Sequence, residues 1–175
     1  MNYVEYGKEN SDVIILLHGG GLSWWNYKEV AERLQTDYHV VLPILDGHAG
    51  CDKQFTTIEN NALDIIEFVN IKLGGSVLMM GGLSLGGQIL LEILSQRKDI
   101  CKYAIVESVL VIPSKFTYSM IKSAFGSCYG LIKYKWFSKL QDSFIQVLPN
   151  MYHGEFSINH ADDYVRKILE IVKRR

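Results

Sequence analysis

One short segment restricts the fold of this chain more than any other: Gly82-Leu83-Ser84-Leu85-Gly86, followed by Gly87. It comes directly after an apolar run at residues 77–80, which is typical of a buried strand, and before residues 89–94, whose apolar side chains recur at helical spacing. A chain turns from strand to helix over so few residues only through a strained backbone, and the flanking positions must lack bulk. The segment therefore predicts a strand, a tight turn with Ser84 at its apex, and a helix.

Strand-like and helical segments alternate along the rest of the chain. Four further apolar runs predict strands, at residues 13–17, 39–43, 103–106 and 144–148. Helical periodicity predicts helices at residues 27–34, 57–73 and 161–173. Thr56 and Glu59 have the spacing of a capping box before the second helix, and Asp162 and Asp163 suit the dipole at the expected start of the third. This alternation predicts an α/β fold, a mostly parallel sheet with helices on both faces.

Length and charge narrow the class of protein. We expect residues 1–175 to form a single domain. Eighteen basic against nineteen acidic residues give a formal charge of −1, which argues against a nucleic-acid partner. The first residues lack the layout of a signal peptide and the apolar runs are too short to span a bilayer, so we expect a cytoplasmic protein. Three cysteines, Cys51, Cys101 and Cys128, lack the spacing of a zinc site or a disulfide framework.

Ser84 lies where such a sheet binds its ligands, beyond the carboxyl ends of the strands. The turn lifts the serine oxygen above the sheet and directs the first helical amides, that of Leu85 among them, toward the place where negative charge would develop. A serine needs a base to become a nucleophile, and histidine suits the role because its ordinary pKa is near 6.5. His153 and His160 are the two candidates, since His18, His39 and His48 lie in turns or at a strand start.

Together these motifs resemble the α/β-hydrolase superfamily, in particular its small esterase and lipase-like branch. The resemblance rests on the Ser84 motif, on His18-Gly19-Gly20-Gly21, on Asp46-Gly47-His48-Ala49-Gly50, and on a late histidine before the last helix. It implies an oxyanion hole formed by the amides of Leu85 and of Gly20 or Gly21. It also implies that His153, on the loop after the last strand, is the base, whereas His160 shapes the start of the terminal helix.

The resemblance also assigns the remaining segments. It implies that Asp46 and His48 stabilise a turn and take no part in catalysis. Residues 114–140, which are rich in aromatic side chains, occupy the position of a lid-like helical segment, and lids of this kind provide an apolar pocket. We expect Trp24, Trp25 and Tyr27, next to the oxyanion glycines, to extend that pocket.

The acid of the catalytic triad is the least regular part of the pattern. Family members place it at the end of a strand between the lid and the histidine strand, but only 69 positions separate Ser84 from His153 and no such strand is visible there. Glu107 is the first choice, because it ends a predicted strand and the carboxyl ends of parallel strands meet at one rim. Asp142 and Glu155 are the second and third choices.

The resemblance implies a serine hydrolase that cleaves a carboxylic ester or thioester with an apolar acyl group through an acyl-enzyme on Ser84. The alternative is a non-catalytic α/β-hydrolase-like binding protein that lost its triad acid. No metal cluster, nucleotide-binding glycine pattern or Schiff-base lysine context is visible, so we expect no cofactor and no metal. The expected partner is a small ester-like molecule, and the oligomeric state stays open, a homodimer included.

Overall fold

The computed structural model describes residues 1–109 and 155–173, and of residues 155–160 the backbone alone. The chain divides into two compact units, residues 1–110 with 161–175 and residues 111–160. The architecture below is that of the first unit. The predicted strand at 144–148, the lid-like segment 114–140, Asp142 and His153 lie outside the described residues.

The described part is built on a five-stranded sheet in the order β1-β3-β2-β4-β5. β2, β3, β4 and β5 run parallel, and β1 pairs antiparallel with β3. The strands are β1 (Asn2–Tyr6), β2 (Val13–Leu17), β3 (His39–Ile44), β4 (Val77–Leu83) and β5 (Cys101–Glu107). The helices are a 3₁₀ helix (Trp24–Tyr27), α1 (Lys28–Leu34), α2 (Ile58–Lys72), α3 (Leu85–Gln96) and α4 (Glu155–Lys173). This arrangement confirms the predicted fold class.

Helices cover both faces of the sheet, and β2 shows how its sequence serves both. Its alternate residues Ile15 and Leu17 belong to the core shared with α2 and α3, whereas Ile14 and Leu16 belong to the core shared with α1 and α4. All four are buried, because a strand covered on both faces carries apolar side chains without alternation. The continuous apolar run is therefore a consequence of the strand's central place.

The strands differ from the prediction in three details. β1 was not predicted, because as an edge strand it carries exposed polar residues rather than an apolar run. β3 extends through Pro43 to Ile44, since its pairing with β2 ends at Val41 and only β1 borders it beyond that point. β4 continues through Gly81 and Gly82, which the prediction assigned to the turn.

The predicted helix at 57–73 is confirmed as α2. The predicted capping box of Thr56 and Glu59 was wrong by one residue, since the N-cap is Thr57, whose Oγ1 accepts the N–H of Asn60 at 3.1 Å. The prediction for α4 was wrong at its start. The helix begins at Glu155, so His160 lies inside it and does not shape its first turn. Asp162 and Asp163 lie two turns in, too far to act on the dipole at the N-terminus. They form ion pairs with Arg33 and Arg166, respectively.

Candidate active site

Ser84 has a left-handed backbone, with φ 51° and ψ −109°, at the junction of β4 and α3. Its neighbours hold it there from both sides. The N–H of Ser84 donates to the carbonyl oxygen of Glu107 at 2.9 Å, and its own carbonyl oxygen accepts the N–H of Gln88 at 2.9 Å. A residue with a side chain in this region costs on the order of 1–3 kcal/mol and persists only where its surroundings fix it. The predicted strained turn is present.

Three glycines make this turn sterically feasible. A Cβ added to Gly82 would lie 2.5 Å from the carbonyl oxygen of Gly86, and one added to Gly86 would overlap the backbone of Leu17 and His18. A Cβ on Gly87 would overlap the side chain of Val109 and lie 3.0 Å from the carbonyl oxygen of Gly82. The missing side chains therefore let α3 pack directly against the backbone of β2 and β4.

The glycine loop after β2 reaches the start of α3. A Cβ built on Gly20 would lie 3.8 Å from both Cβ and Cδ2 of Leu85. Gly21 has φ 76° and borders open space, with no described atom within 4 Å of its Cβ position. The loop is closed by the N–H of Leu22, which donates to the carbonyl oxygen of Gly19 at 3.2 Å. Of the two predicted oxyanion glycines, Gly20 is the one next to Leu85.

His18 is fully buried and links two loops. Its Nδ1 donates to the carbonyl oxygen of Gly19 at 2.9 Å, and its Nε2 accepts the N–H of Leu45 at 3.2 Å. These two bonds fix the neutral tautomer. Burial, with a smaller contribution from the His48 ring 5.0 Å away, lowers the pKa of His18 to about 4. His18 therefore joins the ends of β2 and β3 as a neutral group.

The segment after β3 is tied down by its own hydrogen bonds. The N–H of Asp46 donates to Oδ1 of Asn61 at 3.0 Å, and Nδ1 of His48 donates to the carbonyl oxygen of Asp46 at 2.9 Å. Oγ of the buried Ser23 donates to the carbonyl oxygen of Ala49 at 2.7 Å, which fastens the glycine loop to this segment. These contacts agree with the predicted turn-stabilising role of Asp46 and His48.

Glu107 lies at the end of β5, paired in register with Leu83. Its carbonyl oxygen holds Ser84, and its half-buried carboxylate accepts a hydrogen bond from Nζ of Lys167, on α4, at 3.3 Å. The structure therefore places Glu107 at the same rim of the sheet as Ser84. The ion pair with Lys167 could not be predicted from the sequence, because it joins residues 60 positions apart.

The aromatic residues after the glycine loop do not share one role. Tyr27 is buried in the core, where its ring centroid lies 5.4 Å from that of Tyr164, and Trp24 packs against the same core. Trp25 is half exposed. The expectation that all three extend a pocket was therefore wrong for Tyr27, whose apolar neighbours on α1 and α4 draw it inward.

Sequence reasoning missed Ser108, the residue after β5. It has φ 54°, and it shares a left-handed backbone with only one other non-glycine residue in the described ranges, Ser84. The residues around Ser108 carry no pattern that predicts a left-handed backbone. The sequence offered one signal. Both β4 and β5 were predicted, and in the parallel pairing that the structure shows, Ser84 and Ser108 follow the paired residues Leu83 and Glu107.

Comparison with known proteins identifies the family. A model of the Alpha/beta hydrolase family matches residues 14–167, so the chain belongs to that family. A comparison with curated proteins finds no match. In residues 1–109 and 155–173, no helix is long and apolar enough to cross a membrane.

Solved structures with similar folds include three hydrolases. An esterase from Thermogutta terrifontis is 22% identical with a TM-score of 0.61, over 69% of this chain and 44% of that one. A monoacylglycerol lipase from Paleococcus ferrophilus is 21% identical with a TM-score of 0.57, over 71% and 50%. The epoxide hydrolase CorEH is 22% identical with a TM-score of 0.56, over 70% and 46%. The chain thus spans half or less of the length of these proteins.

Proposed function

We propose that this chain carries the nucleophile of a serine hydrolase that cleaves a carboxylic ester or thioester with an apolar acyl group. The observation that carries the proposal is the left-handed backbone of Ser84 between Gly82 and Gly86. On stability alone, glycine would be favoured at such a position. A serine there presents a hydroxyl at the carboxyl rim of the sheet, which is the geometry of a nucleophile at a strand-to-helix turn.

In the proposed reaction, Oγ of Ser84 bonds to the carbonyl carbon of the substrate, and its proton passes to His153. The bond from that carbon to the alcohol oxygen or thiol sulfur then breaks, and His153 returns the proton to the leaving atom. Water, activated by the same histidine, bonds to the acyl carbon and releases the acid from Ser84. The base gives its first proton to the leaving atom and the second, taken from water, to Oγ of Ser84. Protons and electrons therefore balance without a cofactor.

The oxyanion of each tetrahedral intermediate is assigned to the amides of Leu85 and Gly20. This pair is supported over Gly21 because the Cβ position of Gly20 lies 3.8 Å from the side chain of Leu85, whereas that of Gly21, with φ 76°, has no described atom within 4 Å. The amide of Leu85 also lies in the first turn of α3, where the helix dipole favours negative charge. An amide in such a position typically contributes about 3 kcal/mol to the transition state.

Glu107 remains the proposed acid that orients His153, with Asp142 and Glu155 as alternatives. Its support is its place beside Ser84 at the end of β5. Its carboxylate already accepts from Lys167, so in this role it would have to serve the histidine with its remaining lone pairs. The half-exposed Trp25 supports an apolar acyl group, because it follows the glycine loop directly.

The similar structures support a hydrolase, but they do not indicate which type of bond this chain would cleave. They include an esterase, a lipase and an epoxide hydrolase, each at 21–22% identity. Because this fold serves several reactions, the proposal rests on Ser84 and its turn and not on the fold.

The first test is the intact mass of the purified protein after treatment with a fluorophosphonate, which labels activated serines. We expect one adduct on the parent chain, none on Ser84→Ala, and one on the control Ser95→Ala, which changes an exposed serine of α3. Circular dichroism should show the same helix content in all three.

The alternative function predicts a different result. A non-catalytic binding protein that lost its triad acid would take no adduct on any of the three proteins, and this outcome would refute the proposed nucleophile. An adduct that persists on Ser84→Ala would place the reactive serine elsewhere. Turnover of a short-chain p-nitrophenyl ester by the parent and not by Ser84→Ala would add the reaction class to the identity of the nucleophile.

A further inference from the structure

Ser108 stands beside Ser84 at the rim of the sheet. Leu83 and Glu107 are paired across β4 and β5, and the N–H of Ser84 bonds to the carbonyl oxygen of Glu107 at 2.9 Å. The residues that follow each pair member, Ser84 and Ser108, are therefore neighbours. Both have left-handed backbones, at φ 51° and φ 54°. Strained residues concentrate at functional sites, and here two of them follow the paired ends of adjacent strands.

Ser108 lies on the opposite side of Ser84 from the proposed oxyanion amide. β4 has β2 on one side and β5 on the other. Gly20 comes from the loop after β2, whereas Ser108 follows β5. When the carbonyl oxygen of a substrate points toward Gly20 and Leu85, the other substituents of the carbonyl carbon point away from β2. The leaving group is one of them, and it must reach the base on a side that Gly20 does not occupy.

Within the part of the chain that the structure describes, Ser108 is exposed and its hydroxyl has no protein partner. Its residue surface is exposed, unlike the neighbouring Glu107 and Val109, which are partly buried. No side chain within residues 1–109 and 161–173 forms a hydrogen bond with its hydroxyl. A hydroxyl can donate to an oxygen that gains negative charge, and such charge-assisted bonds are about twice as strong as neutral ones.

We propose that Ser108 binds the alcohol side of the substrate and that its hydroxyl donates a hydrogen bond to the leaving-group oxygen as the acyl–oxygen bond breaks. The inference rests on the proposed serine hydrolase function. It names the substrate class more closely: esters of poorly acidic alcohols, whose departing oxygen carries substantial negative charge. Activated esters have a leaving group that accommodates this charge by itself, and they need the bond less.

The test compares leaving groups at a constant acyl group. For Ser108→Ala we measure kcat/KM, which reports the acylation step, on p-nitrophenyl butyrate and on ethyl butyrate. We expect a loss of about 10- to 100-fold on ethyl butyrate, the effect of one charge-assisted hydrogen bond, and less than about 3-fold on p-nitrophenyl butyrate. Ser108→Gly removes the same hydroxyl and relieves the strained backbone, so it should show the same pattern.

Each outcome decides the matter. A loss confined to ethyl butyrate in both variants supports the role of the hydroxyl. An equal loss on both esters, or a loss in Ser108→Ala that Ser108→Gly restores, would show a backbone role and overturn the inference, as would full activity on both. Suppose one of these contrary results is obtained. If the parent nevertheless takes a fluorophosphonate adduct on Ser84 and turns over esters, the role of Ser108 is refuted and the proposed function stands. If the parent does neither, the proposed function has failed with it.

Discussion

At the scale of single residues, His18 shows how a conspicuous motif residue can serve the fold. It opens the glycine stretch and lies close to the proposed oxyanion hole, yet both of its ring nitrogens bond to backbone atoms. Its imidazole is neutral because burial penalises the charged form. A buried neutral histidine makes the stability of the fold depend on pH, in a direction that the structure fixes.

We expect the free energy of unfolding to fall as the pH drops from 6.5 toward 4. The unfolded chain takes up a proton on His18 near pH 6.5, whereas the folded chain resists until about pH 4. The contribution of neutral His18 to the free energy of unfolding is fully present above pH 6.5, and about 3 kcal/mol of it is lost by pH 4. Urea unfolding at pH 7 and pH 4.5 measures the difference.

The control for this prediction is His18→Gln, which cannot titrate. It should be less stable than the parent at pH 7 and lose less stability on acidification. A direct reading comes from the ring signals of His18 in an NMR titration of the folded chain. A midpoint near pH 6.5 would contradict a neutral, buried His18.

Part of the site could be predicted from single residues. The strained Ser84 and its three glycines follow from local spacing, since the motif lies within six consecutive residues. The pairing of Gly20 or Gly21 with Leu85 was implied by the family resemblance, and the structure brings Gly20 next to Leu85. Ser108 and the Glu107–Lys167 pair could not be predicted, because they depend on strand register and on how a distant helix packs. His153 stays a prediction, since it lies outside the described residues.

At the scale of elements, the contact of α3 with β2 is the tightest that the site requires. A Cβ on Gly86 would overlap backbone atoms of Leu17 and His18, which cannot move without shifting a central strand. Side-chain neighbours could rotate away, but a carbonyl oxygen in a sheet cannot. The distance between helix and strand is therefore fixed by an absent side chain.

Gly86→Ala should lower the free energy of unfolding by more than about 2 kcal/mol through overpacking, although alanine is the better helix former. The matched variant is Gly74→Ala, after α2, where φ is 74° and no described atom lies within 4 Å of the added Cβ. This variant should lower the free energy of unfolding only by the cost of the strained backbone, about 1 kcal/mol. Denaturant unfolding compares the two, and equal costs would show that α3 can move away from β2.

Helix and strand bounds were predictable where local chemistry sets them. α2 begins and ends within a residue of the prediction, because Thr57 caps it and glycines follow it. β1 was not predicted because its pairing with β3, and not an apolar run of its own, makes it a strand: Tyr3 pairs with Pro43, and Glu5 forms a hydrogen bond with His39. The start of α4 was misplaced because two acidic residues that resembled an N-terminal turn serve as ion-pair partners inside the helix.

At the scale of the whole molecule, the first unit joins the two ends of the described sequence. α4, the last described helix, packs on the face of the sheet that also carries α1, through buried residues Ala161, Tyr164, Ile168 and Val172. The hydroxyl of Tyr164 occupies the space that a side chain on Gly81 would need, 2.7 Å from the position of its Cβ. The last helix is therefore part of the same core as β2 and β4.

Ile168→Ala should lower the free energy of unfolding of the whole unit by about 3 kcal/mol, the typical cost of truncating a fully buried isoleucine. The matched control is Glu170→Ala, an exposed position of the same helix, which should change it by less than about 0.5 kcal/mol. Thermal or urea unfolding followed by both fluorescence and circular dichroism gives the measurement. A second transition, seen only by circular dichroism, would mean that α4 unfolds separately from the sheet.

The strained turn at Ser84 also bears on how such a chain would change over generations. Glycine at this position would relieve the backbone and raise stability, so a lineage with no use for the hydroxyl gains by replacing it. Selection for stability alone would therefore favour glycine there. Under the proposed function, selection for the hydroxyl opposes that pressure, and the lineage keeps serine at a cost in stability.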